Sequence, residues 1–89
     1  MKFKRQSRCA IATDAEILSV AKEPVSSAFI MRKCRLSYEA MRKKVGFLCE
    51  CGLLMQHDGL FVSSELGLRF VRAFWELESL YMQVVKVHN

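Results

Sequence analysis

Residues 36–63, LSYEAMRKKVGFLCECGLLMQHDGLFVS, join a helix that starts at a serine and stops at a glycine to a tight hairpin that follows at once. The Ser37 side chain supplies an oxygen for the free N–H groups of a first turn, and Gly52 supplies the left-handed residue that ends a helix. Between them Met41, Val45 and Leu48 recur at i, i+4 and i+7, the stripe of a buried face. Glu39, Arg42, Lys43, Gly46 and Glu50 fall on the other side. Lys44 lies close to the stripe, so its ammonium is expected to reach round the helix edge. Residues 53–56 and 60–63 then read as two strands joined by His57-Asp58-Gly59, and Asp-Gly is a strong hairpin signal.

Two shorter helical segments precede this run. Thr13-Asp14-Ala15-Glu16 has a capping-box pattern, which predicts a first helix to about Lys22 with Ile17, Leu18 and Ala21 on one face. A start at Ser7 is the alternative, because Ile11 extends the same face. Pro24 marks the break. Ser26 or Ser27 then caps a second helix through Cys34, with Phe29, Ile30 and Cys34 sharing a side, and Arg35-Leu36 forms the turn.

The last segment, residues 64–87, reads as one long helix. Phe70, Ala73, Leu77, Leu80, Val84 and Val87 are spaced 3, 4, 3, 4 and 3, a heptad seam. Leu66, Phe74 and Tyr81 widen it, and Trp75 stands on a flank. A body this small has too little area to cover so many large side chains over roughly six turns. A dimer interface over Phe74, Leu77, Leu80, Tyr81, Val84 and Val87 is therefore expected, the alternative being a helix folded wholly onto its own core. The near end of the same face is expected to cover the body.

Three helices, a hairpin and a long helix, in that order, define a winged helix-turn-helix with a C-terminal dimerisation helix. The fold class is mainly α with a small β-hairpin. One domain is expected over residues 1–89, divided into a basic arm (1–6), the winged-helix body (13–63) and the C-terminal helix (64–87).

Charge is unevenly placed. The net charge is +5. Residues 1–12 carry +4 and residues 32–44 carry +5, while residues 13–31 and 45–89 carry −2 each. A basic arm and a basic middle on a mildly acidic remainder suit a polyanion. No apolar run nears the roughly 20 residues of a membrane span, and no signal-peptide pattern follows the basic N-terminus. Cys9, Cys34, Cys49 and Cys51 lack the paired spacing of zinc modules. Reduced thiols in a cytoplasmic protein are expected. His57 and His88 have no Ser, Cys or carboxylate partner by motif, and no phosphate loop or hydrolase motif is present. No enzyme activity, cofactor, metal or small-molecule ligand is inferred.

Double-stranded DNA is the partner that this order of elements implies. A helix-turn-helix lays its second helix in the major groove with its N-terminal residues toward the base edges. Ser37 and the first helical N–H groups suit a phosphate. Tyr38 contacts phosphate or packs on the second helix. Arg42 is the candidate for a guanine, with Lys43 beside it. Lys33 and Arg35 at the turn reach the flanking backbone, and Gln56 and His57 are the polar residues of the wing. Lys2, Lys4 and Arg5 either follow a groove or make no fixed contact. The function expected is sequence-specific DNA binding by a homodimeric transcriptional regulator. The alternatives are a nonspecific chromatin-associated DNA binder and a winged helix used for protein–protein interaction.

With these residues in view, the chain resembles the small archaeal winged-helix proteins of the archaellum-regulator type. That group includes ten-kilodalton chromatin-associated DNA binders that dimerise through a C-terminal helix. The resemblance rests on Ile30-Met31, Leu36-Ser37-Tyr38, Gly52-Leu53-Leu54, Asp58-Gly59 to Val62, and Ser63…Gly67…Phe70, over residues 14–81. It implies a cytosolic protein with paired C-terminal helices and DNA contacts at Ser37, Tyr38, Arg42 and Lys43. Ser27 stands where the family usually has a basic residue, and Arg32 where it has an aromatic.

Overall fold

The computed structural model describes the backbone of residues 2–88 and the side chains of residues 10–86. Its elements are α1 (Lys2–Val20), α2 (Ser27–Cys34), α3 (Tyr38–Glu50), β1 (Leu54–His57), β2 (Leu60–Ser63) and α4 (Glu65–His88). The protein is mainly helical, with one small antiparallel hairpin and a long C-terminal helix, in winged helix-turn-helix order.

Local chemistry sets most boundaries. Ser26 caps α2 by accepting from the Phe29 N–H at 3.1 Å, and Ser37 caps α3 by accepting from the Ala40 N–H at 3.1 Å. At the end of α3 the Gly52 N–H donates to the Cys49 carbonyl and the Leu53 N–H to the Leu48 carbonyl. Gly52 sits at φ 78°, so this is the paired-bond glycine stop that satisfies the last carbonyls of a helix. Ser64 caps α4 by accepting from the Gly67 N–H, while its hydroxyl donates to the Gly52 carbonyl at 2.7 Å.

The N-terminal half departs from expectation. α1 starts at Lys2, so Thr13 lies inside a helix and not at its start. Neither glycine nor proline interrupts residues 1–20, and a helix once started propagates cheaply past a threonine. The backbone expected to form an arm is helical from Lys2 onward. The side chains of Lys2, Lys4 and Arg5 lie outside the described residues.

The hairpin is shifted by one residue from its expected place. β1 begins at Leu54, and His57 belongs to the strand, opposite Leu60. The loop is Asp58-Gly59 alone, with φ 54° and 76°, the two left-handed residues that a tight hairpin needs to match strand twist. A third element also joins the sheet. Val25 exchanges both hydrogen bonds with Phe61, at 2.9 and 2.7 Å.

The core lies where the stripes converge. Ile17, Leu18 and Ala21 of the α1 end meet Ile30 and Cys34 of α2, Met41, Val45 and Leu48 of α3, Leu54 of β1 and Val71 of α4. The buried Ser63 hydroxyl donates to the Leu18 carbonyl at 2.6 Å, and the Ser63 N–H to the Ala21 carbonyl at 2.8 Å. These bonds fasten the wing to α1. In α4 the buried core side chain is Val71, and Phe70, the first residue of the heptad seam, packs part-buried against the core. Leu66, Ala73, Leu77, Leu80 and Val84 are exposed, while Phe70 and Phe74 are half-buried. One turn before Val71, Gly67 passes so close to β1 that a Cβ there would collide with the Leu53 carbonyl oxygen.

α4 also outruns the body. Its 24 residues make a rod of about 36 Å, and the molecule measures 48 × 26 × 21 Å. The radius of gyration, 14.0 Å, exceeds the ~12 Å of a compact domain this long.

Candidate nucleic-acid interface

α3 is held by its buried stripe and turns its opposite side to solvent. Tyr38, Glu39, Arg42, Lys43, Gly46 and Glu50 are all exposed. Adjacent lysines behave differently there. The Lys44 ammonium is 3.0 Å from Asp14 Oδ1 and donates to the Ala10 carbonyl at 3.3 Å, so its charge is spent within the fold. Among the described residues the other close nitrogen–carboxylate approach is His57 Nε2 to Asp58 Oδ2, at 3.6 Å. Among the described residues no carboxylate therefore lies within ion-pair distance of Arg42 or Lys43.

The turn before α3 continues this cationic surface. Arg35 ends α2 in the left-handed conformation, φ 57° and ψ 48°, and its N–H donates to the Met31 carbonyl. Arg32 and Lys33 occupy the last turn of α2, where positive charge complements the helix dipole. Both approach the Phe29 ring, with Arg32 Cζ 5.7 Å and Lys33 Nζ 5.9 Å from its centroid. That attraction limits the freedom of both side chains. Arg32 was not among the expected contacts, although its place in the last turn of α2 is legible in the sequence. Phe47 is a second omission. It is exposed one turn beyond Lys43, although an aromatic in an amphipathic helix reads first as core.

Successive strand residues face opposite ways, so Gln56 shares a face with buried Leu54, and His57 shares one with Met55. Both are exposed, and both border the same shallow hollow at the hairpin. The His57 face carries Met55, Leu60 and Val62, with Pro24 beside them. Residues 53–63 contain no lysine or arginine.

The expected dimer residues divide by position. Phe74 is half-buried near the body, Leu77, Leu80, Tyr81 and Val84 are exposed along the rod, and the Val87 side chain lies outside the described residues. No helix among the described residues is long and apolar enough to cross a membrane.

Burial raises the thiol pKa of two cysteines. The Cys34 thiol, between α2 and the core, is pushed up to about 11 by burial first and by the Glu16 carboxylate second. Burial also raises that of Cys49. Among the described residues no group of three His, Cys, Asp or Glu side chains gathers where it could hold a metal ion.

Comparison with protein-family models and with curated proteins finds no match to this sequence.

Proposed function

We propose that this chain is a DNA-binding protein of the winged-helix kind that acts as a homodimer, a transcriptional regulator working in the cytoplasm. α3 enters the major groove and α4 joins the protomers. One observation carries the reading. Arg42 and Lys43 stand exposed on the outer side of α3, without a carboxylate partner among the described residues, one turn behind the Ser37 cap. Arg32, Lys33 and Arg35 extend that charge along the preceding turn. Arg42 is suited to a guanine edge, while Lys33, Arg35 and Lys43 are suited to phosphates. Resemblance to the archaeal winged-helix regulators supports the same assignment.

Fluorescence anisotropy with selected and random duplexes at several salt concentrations tests it. Arg42→Ala is expected to cost about 1–3 kcal/mol and to relax preference at one base pair. Replacing Lys43 is expected to weaken binding to all sequences and to flatten the salt dependence by roughly one phosphate contact. An affinity ratio near one between selected and random DNA would favour a nonspecific chromatin protein. Unchanged affinity after charge reversal at both positions would end the DNA reading.

The wing favours a second reading, in which the domain binds a protein. Its outer face is apolar, with Met55 and Leu60 exposed, and the hairpin lacks a cation for phosphate. Loss of a protein partner on Met55→Glu, with DNA affinity intact, would support that use of the fold.

A further inference from the structure

The apolar seam of α4 does not stand alone. Ile11 of α1 joins Phe74, Leu77, Glu78 and Tyr81 of α4 around a mostly apolar groove of about 260 Å³. Ile11 is 44 % exposed, Leu77 65 %, Leu80 60 %, Tyr81 47 % and Val84 54 %. The other side of α4 carries Arg69, Arg72, Glu76, Ser79, Gln83 and Lys86. Trp75 and Met82, 51 % and 60 % exposed, also stand on that side, so the seam is one of two exposed apolar surfaces on the rod and the one that lies beside α1.

We propose that the α4 helix of a second copy of this chain fills this groove, so that the dimer seam is built from α1 and α4 of both protomers. The proposal rests on the reading of α4 as the dimerisation helix and adds α1 to the interface. Three observations point to a second copy as the occupant. The exposed residues of α4 recur at heptad spacing, which fits another helix. The groove lies beside the ridge formed by Leu77, Leu80 and Val84, so one patch offers both halves of a self-complementary two-fold contact. The area is also adequate. At roughly 200 Å² per fully exposed large side chain, these five residues expose on the order of 500 Å² per protomer, or about 1,000 Å² for a pair, the threshold of a specific interface.

α1 gives the seam a route to the DNA-facing helix. Ala10 and Asp14 flank Ile11, and both engage Lys44 of α3. A partner seated on Ile11 thus presses on the helical turns that position α3.

Sedimentation velocity on the full chain over a concentration series, with far-UV circular dichroism to verify folding, tests the proposal. Wild type is expected to dimerise. Leu80→Glu and Ile11→Glu are each expected to raise the dimer dissociation constant by at least about tenfold. Arg72→Glu, on the other side, is expected to leave it unchanged. Ile11→Ser should shift it in the same direction by less, which keeps the test decisive if Ile11→Glu folds poorly. Dissociation by Leu80→Glu with tight dimers retained in both Ile11 variants would overturn the role of α1 and spare the α4 dimer. A monomeric wild type at every concentration would overturn both.

Discussion

Lys44 holds Asp14 at 3.0 Å across the packing of α3 on α1, yet the two partners are unequally shielded. The Asp14 side chain is 11 % exposed and that of Lys44 27 %. Asp14 Oδ1 is buried without an aligned hydrogen bond, so its charge relies on the nearby ammonium. Removing the lysine strands a buried carboxylate, whereas removing the aspartate leaves an ammonium that can swing into water. Lys44→Met is therefore expected to destabilise the fold by about 2 kcal/mol and Asp14→Ala by less. Urea unfolding of both variants checks the order. A larger loss for Asp14→Ala would show that the carboxylate has another source of stabilisation.

Gly67 has no room for a side chain. The Leu53 carbonyl occupies the space that a Cβ would take, and that oxygen also accepts from the Ser64 N–H at 3.0 Å. Backbone on backbone cannot yield as a flexible side chain does. Gly67→Ala is expected to cost on the order of 2–3 kcal/mol, read as a lower denaturation midpoint. Gly46→Ala, with open space around it, should gain up to about 1 kcal/mol from helix propensity.

Arg35 separates stability from binding. A left-handed backbone costs a non-glycine residue about 1–2 kcal/mol, and Arg35 bears that cost at the turn between α2 and α3. Arg35→Gly is expected to raise stability by about 0.5–1 kcal/mol in urea unfolding while weakening affinity for DNA. Unaltered DNA affinity in this variant would remove Arg35 from the interface.

Cys34 makes stability depend on alkaline pH. Its folded-state thiol is raised to about 11, above the value near 9 of an exposed thiol, so the unfolded chain loses this proton first. Its contribution is constant below about pH 9, falls between about 9 and 11, and levels off above. The loss is on the order of 2 kcal/mol. Thermal melts of wild type and Cys34→Ala across that range should converge as pH rises. Burial also slows chemistry at this sulfur, so a maleimide should label exposed Cys51 before Cys34.

The sequence was most legible where one residue decides the outcome. Ser37, Gly52 and Asp58-Gly59 act through their own backbone and nearest neighbours, so α3 and the hairpin fall within a residue of their expected bounds. Thr13 misled because a capping signal is local, whereas the absence of any breaker before it governs the whole of α1. Val25 could not be read as sheet, because its bridge depends on Phe61, which is distant in sequence. The strong apolar period of α4 drew attention from Val71, whose burial follows from the close approach at Gly67. In the candidate interface, exposure of Arg42 and Lys43 followed from the helix period, as did the partial shielding of Lys44. The clustering of Arg32 and Lys33 about Phe29 depends on side-chain packing that spacing alone does not fix.

The Val25–Phe61 bridge has a mechanical consequence. Ser26, the cap of α2, follows Val25 directly, and Phe61 lies one residue past the start of the returning strand. Pushing the hairpin tip sideways would therefore torque the first turn of α2 instead of bending a free flap. The hairpin behaves as a stiff lever anchored at the entrance to the helical pair, and it sets how deeply that pair can seat against any surface it meets.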